Sequence, residues 1–396
     1  MAETGDVFAF DAEQLELRRT VRRFCAEHSD EATVRRWMDS PAGYDPATWA
    51  RLGGELGVLG LAAPDESGVV GGLVDQAVVA EELGAALLCG PVFGTIGLAI
   101  PALVMAGDGG LRDELLPPLV AGVRTAAFAV PERAGRFDPA SITVGAVRAG
   151  GGWELTGWLA QVVDAAAADV LLVAASGPDG VALFAVEGTA DGVDRELLST
   201  MDLTRRQAAV RLSEAPARLL ADPGDAERVI GYALDVGAVL LAAEQVGGAQ
   251  RLLDLTVEYA KHRLQFGRPI GSFQAVKHRL ADMLVAVEHA RSTAYHAAWA
   301  IQGGTDDPWL ATSIAQATCS QAYSRVAADT LQLHGGIGFT WEHQAHLYYK
   351  RAVTDAALLG SAEEHRNRIA LAVLDRAVVP PSQVPPVAGV AEALRG

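Results

Sequence analysis

The sequence predicts an α+β protein built from three successive segments: a helical N-terminal domain, a small β domain and a C-terminal helical bundle. Residues 11–122 place apolar and charged side chains at the spacing of amphipathic helices. Residues 125–220 contain short strand-like runs that Gly, Pro and Asp separate. From about residue 226 the chain returns to long Ala- and Leu-rich stretches with few helix breakers, which is typical of a bundle.

The N-terminal domain is predicted to cover residues 1–122. Apolar side chains recur at helical spacing over residues 11–25, 49–59 and 75–88. Four later prolines mark the starts and stops of helices. They are Pro91, Pro101, Pro117 and Pro118.

The middle domain, residues 123–225, is predicted to be a small antiparallel barrel or sandwich, because several short strands follow one another closely. The C-terminal domain, residues 226–377, is predicted to be a four-helix bundle. Its helical stretches are 226–262, 273–302, 308–334 and 342–375. The tail, residues 378–396, is rich in proline and is predicted to be loose.

Composition limits the classes of function. Half of the 396 residues are hydrophobic and 20% are charged, as in globular proteins. The net charge of −17 argues against nucleic acid or an anionic membrane as a partner. The three cysteines lie far apart and lack metal-ligand spacing, which predicts a reduced, cytoplasmic protein without a metal site. We also expect no signal peptide and no membrane span.

The most informative stretch is residues 259–283, YAKHRLQFGRPIGSFQAVKHRLADM. A helical pattern ends near Arg263, Gly and Pro break the chain, and a second helix begins near Ser272, a plausible N-cap. The break brings together Arg263, Gln265, Phe266 and Gln274. A guanidinium suits pyrophosphate, amides suit the edge of adenine, and an aromatic ring can pack on it, so the stretch suits a dinucleotide.

This stretch resembles the signature of the acyl-CoA dehydrogenase flavoprotein family. A second block, residues 331–343 (LQLHGGIGFTWEH), resembles the family's Gln-x-x-Gly-Gly-x-Gly block. The two blocks occur in the family's order and at about its spacing, and a Gly-rich run alone would be weak evidence. The resemblance implies FAD as the cofactor, held mainly through its adenosine half and reached from a neighbouring subunit. The implied FAD-binding residues are Arg263, Gln265, Phe266, Phe273, Gln274, Gln332, Gly335 and Gly336.

The family's reaction is α,β-desaturation of an acyl-CoA thioester, which needs a carboxylate over the α carbon to take a proton. Aligned on the Gly-Gly block, the usual position of this base is Leu359, and the family's second location for it falls on Gly237. Neither residue can take a proton. Glu244 is the first candidate for a relocated base, because it lies two helical turns after Gly237. The other nearby carboxylates are Asp235, Glu363 and Glu364.

Two further departures concern the flavin ring and the thioester. The family's hydroxyl-rich loop against the flavin ring corresponds to residues 129–136, which keep a proline but lack the hydroxyls. The family's Trp and Thr against the same ring are missing from residues 159–163. An Arg near the thioester becomes Ala238, whereas Asp235, a possible substrate contact, is kept.

Three hypotheses follow. The chain is an active FAD-dependent acyl-CoA dehydrogenase with a relocated base, or a non-catalytic subunit that lends its FAD adenosine site to a catalytic chain. The third hypothesis is a fold relative with other chemistry, such as an oxidase, a monooxygenase or a flavin-free lyase. The pattern resembles the less catalytic chain of two-chain dehydrogenases from actinobacterial sterol side-chain catabolism. The resemblance implies lipid or steroid catabolism, an acyl-CoA substrate, a homo- or hetero-tetramer, and an electron-transfer flavoprotein as acceptor.

Overall fold

The computed structural model describes residues 10–65, 68–69, 71–106, 109–304 and 307–374. The predicted Pro-rich tail, residues 378–396, lies outside the described residues. Eleven α-helices occur in the described ranges. They are α1 (Ala12–His28), α2 (Glu31–Met38), α3 (Pro46–Gly54), α4 (Leu73–Ala85), α5 (Ile100–Met105), α6 (Gly109–Val120), α7 (Ala226–His262), α8 (Gln274–Gly303), α9 (Pro308–His334), α10 (Ala345–Asp355) and α11 (Ala362–Leu374).

The first three helices begin at aspartates that act as N-caps. The side chains of Asp11, Asp30 and Asp45 each accept a hydrogen bond from a backbone N–H of the first turn. Such caps satisfy donors that a helix start would otherwise leave unpaired. A π-helical segment, Val92–Ala99, precedes α5 and was not expected from the sequence.

The middle of the chain forms a small barrel, as predicted. Two of the strands in the middle of the chain, β4 and β5, form a separate hairpin. The strands are β1 (Pro64–Asp65), β2 (Gly68–Val69), β3 (Ala126–Ala129), β4 (Glu132–Arg133), β5 (Arg136–Phe137), β6 (Val144–Ala149), β7 (Gly152–Val163), β8 (Val170–Gly177), β9 (Gly180–Glu187), β10 (Val193–Leu197), β11 (Gln207–Ala221), β12 (Leu264–Gln265) and β13 (Arg268–Pro269). The barrel closes because β9 pairs with both β8 and β11, while β7 and β6 complete the circuit back to β8. Strand β8 pairs in parallel with β3 and β6, so the barrel is mixed rather than purely antiparallel.

Helix α7 is the core helix of the molecule. It packs on α4, α8, α9 and the π-helical segment, and 83% of its most apolar window is buried. It is long and apolar enough to cross a membrane, but this burial identifies it as the centre of a helical bundle. The close approach of α4 depends on Gly247, where a Cβ would collide with the carbonyl of Glu81.

Two local predictions were wrong. Ser272 is not the N-cap of α8, because the helix begins one residue later with Phe273 in that position, and the Ser272 hydroxyl donates to Pro269 O at 2.7 Å. The predicted helical stretch 342–375 is two helices. A left-handed turn at Leu359 (φ 54°) and Gly360 (φ 93°) lies between them.

Candidate functional site

The two sequence blocks meet at the ends of α7 and α9. The Tyr259 hydroxyl donates to the carbonyl of His334 at 3.2 Å, and the two rings stack with centroids 4.4 Å apart. This contact joins the last turn of α7, which precedes the first block, to the end of α9 in the second block. Neither Tyr259 nor His334 was singled out in the sequence. Their signal, an aromatic residue in the last turn of each helix, is too common to be informative.

The first block forms a tight hairpin that presents its side chains to solvent. Phe266 (φ 55°) and Gly267 (φ 75°) are both left-handed, as a two-residue turn between β12 and β13 requires. The Phe266 ring is 89% exposed. Among the described residues, the Arg263 guanidinium has no hydrogen-bond or ion-pair partner, so it is free to bind an anion.

A second cation of this hairpin packs on the ring of Phe273. The Arg268 guanidinium lies 4.1 Å from the centroid of the Phe273 ring, and Phe266 meets the same ring edge-on at 6.1 Å. No sequence signal distinguished Arg268 from the rest of the chain break. Gln265 and Gln274 are exposed beside these rings, so their amides are available to a ligand.

The second block exposes backbone. Gly335 ends α9 with φ 63°, and nothing lies within 4 Å of where a Cβ would stand at Gly335 or Gly336. Backbone that is open in this way can approach a phosphate without an intervening side chain. Gln332 is also exposed. The free guanidinium of Arg263, the amides and the open glycine backbone together fit the adenosine and pyrophosphate half of FAD.

The position expected for the catalytic base holds a leucine that is buried by its neighbours. Leu359 is buried with 4% exposure and packs into an apolar cluster. A Cβ at Gly360 would lie 2.7 Å from Ala134 C, and one at Gly135 would lie 2.5 Å from Leu359 O. The base position therefore packs directly on the loop whose counterpart in the family holds the flavin ring.

The second location for a base is also covered. A Cβ at Gly237 would lie 2.5 Å from the Leu98 side chain and 3.2 Å from Gly97 O. The π-helical segment thus packs against α7 at this point. Two cavities that are both lined by Phe93 and Glu244 measure about 10 Å³ each, which is space for one water molecule at most.

Glu244, the candidate for a relocated base, lies in a buried ion cluster. Its carboxylate accepts hydrogen bonds from Arg205 and, at 2.5 Å, from Arg351. Arg351 also donates to Asp202 at 2.7 Å and to Thr204 at 2.6 Å. Although burial opposes ionisation, the two guanidiniums lower the pKa of Glu244 below its usual value. This geometry indicates a structural ion pair and argues against Glu244 as a base that takes up a proton.

The other carboxylates near the predicted base lie elsewhere. Asp235 is half-buried on α7 without a hydrogen-bond partner among the described residues, and burial raises its pKa to about 6. Glu364 caps α11 by accepting from the backbone N–H of Ser361 at 2.8 Å. Glu363 is exposed. None of these carboxylates lies in the contact that covers Leu359.

In the barrel, the positions that correspond to the family's flavin-ring contacts hold other side chains. Gln161, at the position of the family's Trp, is hydrogen-bonded to Gln207. Val163 is partly buried and offers no hydroxyl. Trp158 is 41% exposed and lies under the Arg211 guanidinium.

We expect stability to fall as pH rises because of Asp355, which belongs to the ion cluster. Its carboxylate is fully buried without a hydrogen bond to any described residue, and burial raises its pKa from 3.8 to about 8. The folded state therefore retains a proton that the unfolded state loses above about pH 4, and this contribution is lost as pH approaches 8. Denaturant unfolding between about pH 5 and about pH 8 should show the fall, and Asp355→Asn should flatten it. Identical pH profiles for the two proteins would contradict the assignment.

Comparisons with known proteins match two segments of this chain to one family. The family description "Acyl-CoA dehydrogenase, N-terminal domain" matches residues 11–123, and "Acyl-CoA dehydrogenase, C-terminal domain" matches residues 227–374. Acyl-CoA dehydrogenase IpdE2 of Mycobacterium tuberculosis is 39% identical over 89% of this chain and 95% of its own length.

Many solved structures share the fold of this chain, and two of them are described here by their names. One is a variant of the Tcur3481-Tcur3483 steroid ACAD, with a TM-score of 0.82 and 32% identity over 93% of this chain and 99% of that chain. The other is the ChsE4-ChsE5 complex from Mycobacterium tuberculosis, with a TM-score of 0.82 and 28% identity over 95% of this chain and 100% of that chain.

Proposed function

Because the chain belongs to the acyl-CoA dehydrogenase family, we propose that it is the non-catalytic subunit of a two-chain enzyme and supplies the FAD adenosine site to a catalytic chain. Family membership makes it an FAD-dependent oxidoreductase, either an acyl-CoA dehydrogenase or a subunit of one. The observation that carries the choice is the contact of Leu359 and Gly360 with Ala134 and Gly135, which fills the base position with leucine and closes it against the flavin-ring loop.

In this proposal the exposed groups near Arg263 and Gly335 bind FAD, whereas the buried position of Leu359 takes no part in catalysis. When bound, FAD supplies the hydride acceptor for desaturation. Arg263 would hold the pyrophosphate, and Gln265, Gln274 and Gln332 would offer amides to the adenine edge. The backbone at Gly335 would approach a phosphate. No comparable set of open groups surrounds Leu359 among the described residues, so the ring and the proton-taking carboxylate are assigned to the other chain.

The comparisons support a partner of related sequence. The name of one similar structure describes a complex of two chains, and another name describes a steroid enzyme. We therefore propose a cytoplasmic hetero-tetramer that acts on an acyl-CoA from lipid or steroid catabolism. An electron-transfer flavoprotein is the proposed acceptor. The composition supports this location, because it predicts a reduced protein.

The proposal is tested by purifying the chain alone and together with a dehydrogenase-like chain encoded beside it. The chain alone should be colourless and should not oxidise an acyl-CoA. The pair should be yellow and should bleach when an acyl-CoA is added. A yellow single chain that bleaches would instead support an active enzyme with a relocated base.

Leu359→Glu should not create dehydrogenase activity in the isolated chain. The side chain at this position packs against apolar neighbours, and the flavin-ring contacts are absent as well. A carboxylate buried there would cost stability, because its charged form loses hydration. Acyl-CoA-dependent dye reduction by the variant and the parent chain measures the effect. Leu359→Met is the matched control for packing, and activity gained only in Leu359→Glu would contradict the proposal.

We expect the chain to be an obligate oligomer with four chains in the assembly. Large apolar side chains are exposed on α8, on α11 and in the loop after the Gly-Gly block. They are Leu284, Val285, Ile337, Phe339, Trp341, Leu371, Val373 and Leu374. Sedimentation of the co-purified chains should show a tetramer. A stable monomer at micromolar concentration would contradict the prediction.

A further inference from the structure

A cluster of three rings, Tyr259, His334 and His343, lies where the second sequence block leaves α9. The centroid of the His334 ring is 4.4 Å from that of Tyr259 on α7 and 4.5 Å from that of His343, which precedes α10. His334 is only 3% exposed. This ring cluster therefore connects the ends of α7 and α9 to the chain that leads into α10.

Backbone partners fix which nitrogen of each imidazole carries a proton. The Nδ1 of His334 lies 2.8 Å from the carbonyl oxygen of Thr330, which can only accept, so Nδ1 is the protonated nitrogen of the neutral ring. Its Nε2 is buried and has no hydrogen-bond partner among the described residues. The Nδ1 of His343 accepts from the backbone N–H of Ala345 at 3.2 Å, so that nitrogen carries no proton.

A second proton on either ring does not fit this arrangement. On His334 it would create a buried N–H without an acceptor in the described part of the chain, and such a group costs free energy. On His343 it would turn the acceptor of the Ala345 N–H into a donor and break that bond. Burial also lowers the pKa of both imidazoles below the usual 6.5. The ring cluster is therefore built for two neutral histidines.

The charged groups around the ring cluster do not compensate for a protonated histidine. Glu31 and Arg35 of α2 act on His343 with opposite signs, and they pair with each other at 2.7 Å. On α10, burial and the neighbouring Lys350 lower the pKa of His346 to about 4. No described carboxylate forms an ion pair with a histidine of the cluster.

The ring cluster holds the turn that exposes the glycine backbone. The Tyr259 hydroxyl donates to His334 O at 3.2 Å, and this carbonyl belongs to the same rigid peptide unit as the Gly335 N–H. The turn then folds back, since a Cβ at Gly338 would lie 3.2 Å from the His334 Cβ. Fixing His334 therefore fixes the direction of the peptide that opens the Gly-Gly run.

We propose that Tyr259, His334 and His343 are positioning residues that hold the backbone of Gly335–Phe339 in place only while both imidazoles are neutral, so that acid releases this turn. The inference rests on the proposed function where it concerns FAD, because an ordered turn at Gly335 is what would approach the phosphate. It adds regulation to that site, since FAD would leave the two-chain complex as the pH falls. The release of the turn itself needs neither cofactor nor partner.

The direction of the pH effect follows from the protonation states. The histidines bind a proton less readily in the closed turn than in an opened one, because closure buries them and leaves the added proton unpaired. The closed turn is therefore fully favoured above pH 6.5 and loses this contribution as the pH falls below that value. Asp355 acts in the opposite direction, since its contribution to stability is lost as the pH rises.

Hydrogen exchange of the backbone amides of Gly335–Phe339 tests the release, measured on the purified chain and corrected for the intrinsic rate at each pH. We expect their protection to fall about tenfold or more between about pH 8 and about pH 5. Peptides from α7 should keep their protection over this range. His334→Phe keeps an aromatic ring but has no nitrogen to protonate, so the fall should shrink to about threefold or less.

Two further variants separate positioning from titration. Tyr259→Phe keeps the stacked ring and removes only the hydroxyl bond to His334, so the turn should exchange faster at every pH. This variant also tests the ring cluster if His334→Phe does not fold, and exchange at the parent's rate would count against the positioning role. His289→Gln is the matched control, because His289 is exposed on α8, and it should show the pH profile of the parent chain.

FAD titration of the two-chain complex at the same pH values tests the link to the cofactor. FAD affinity should fall about tenfold at low pH in the parent complex and change little in His334→Phe. Acid-sensitive exchange in a complex that binds no FAD at any pH would support the positioning role and contradict the proposed function alone. Protection that does not change with pH, the parent's fall in His334→Phe, or an equal fall in α7 would each overturn the inference.

Discussion

Replacing Arg351 by methionine is expected to lower the free energy of unfolding by about 3–5 kcal/mol. Arg351 is fully buried and bonds to Asp202, Thr204 and Glu244. Its loss would leave two buried carboxylates, Asp202 and Glu244, with Arg205 as their remaining cation. Breaking one side of a buried ion pair is costly because the other charge stays buried and unpaired.

Urea denaturation of the variant and the parent chain measures this loss. Arg366→Met is the matched control, because Arg366 is exposed and its one bond to a described residue is to Gln321 at 3.3 Å, so its loss should be small. Adding Glu244→Gln to Arg351→Met should recover part of the stability, since it removes one uncompensated charge. Additive losses in the double variant would show that these groups do not form one cluster.

Arg263→Ala is expected to produce the largest change in cofactor binding. If the guanidinium binds the pyrophosphate in a buried interface, its loss should cost about 2–5 kcal/mol, or at least about thirtyfold in FAD affinity. The side chain has no partner among the described residues, so truncation should not disturb the fold of the chain. FAD fluorescence titration of the two-chain complex measures the affinity directly.

Two control variants sharpen this experiment. Lys261→Ala removes a neighbouring cation that is already paired with Glu258 at 2.6 Å, and it should leave FAD affinity unchanged. Arg263→Lys keeps the charge but loses the paired donors, so its affinity should fall between those of the parent complex and Arg263→Ala. Unchanged FAD affinity in Arg263→Ala would remove this residue from the cofactor site.

The fold class and the chain breaks in the two sequence blocks could be predicted because their signals are local. Helical spacing, strand runs and the breaks at Gly267 and Gly335 each lie within a few residues of the feature they specify. The prediction that Leu359 takes the place of the base follows from the resemblance of the second block. The N-cap of α8 was missed by one residue, because Phe273 takes the place assigned to Ser272.

The role of Glu244 could not be predicted in the same way. Its two cationic partners are Arg205, 39 residues before it, and Arg351, 107 residues after it. Only the folded chain brings the three together, so spacing on one helix suggested a base where the structure has an ion pair. The contact between Gly135 and Gly360 is equally non-local, because it joins the middle domain to the C-terminal bundle.

The central claim is that this chain binds the adenosine half of FAD and does not bind the flavin ring. The most direct test is the flavin-to-protein ratio, measured on two samples. One is this chain purified alone, and the other is the two-chain complex in which only this chain carries Arg263→Ala. The account predicts no retained FAD in the chain alone and a loss of FAD from the complex when Arg263 is replaced. Stoichiometric FAD in the isolated chain would contradict it, as would a complex whose flavin content does not respond to Arg263.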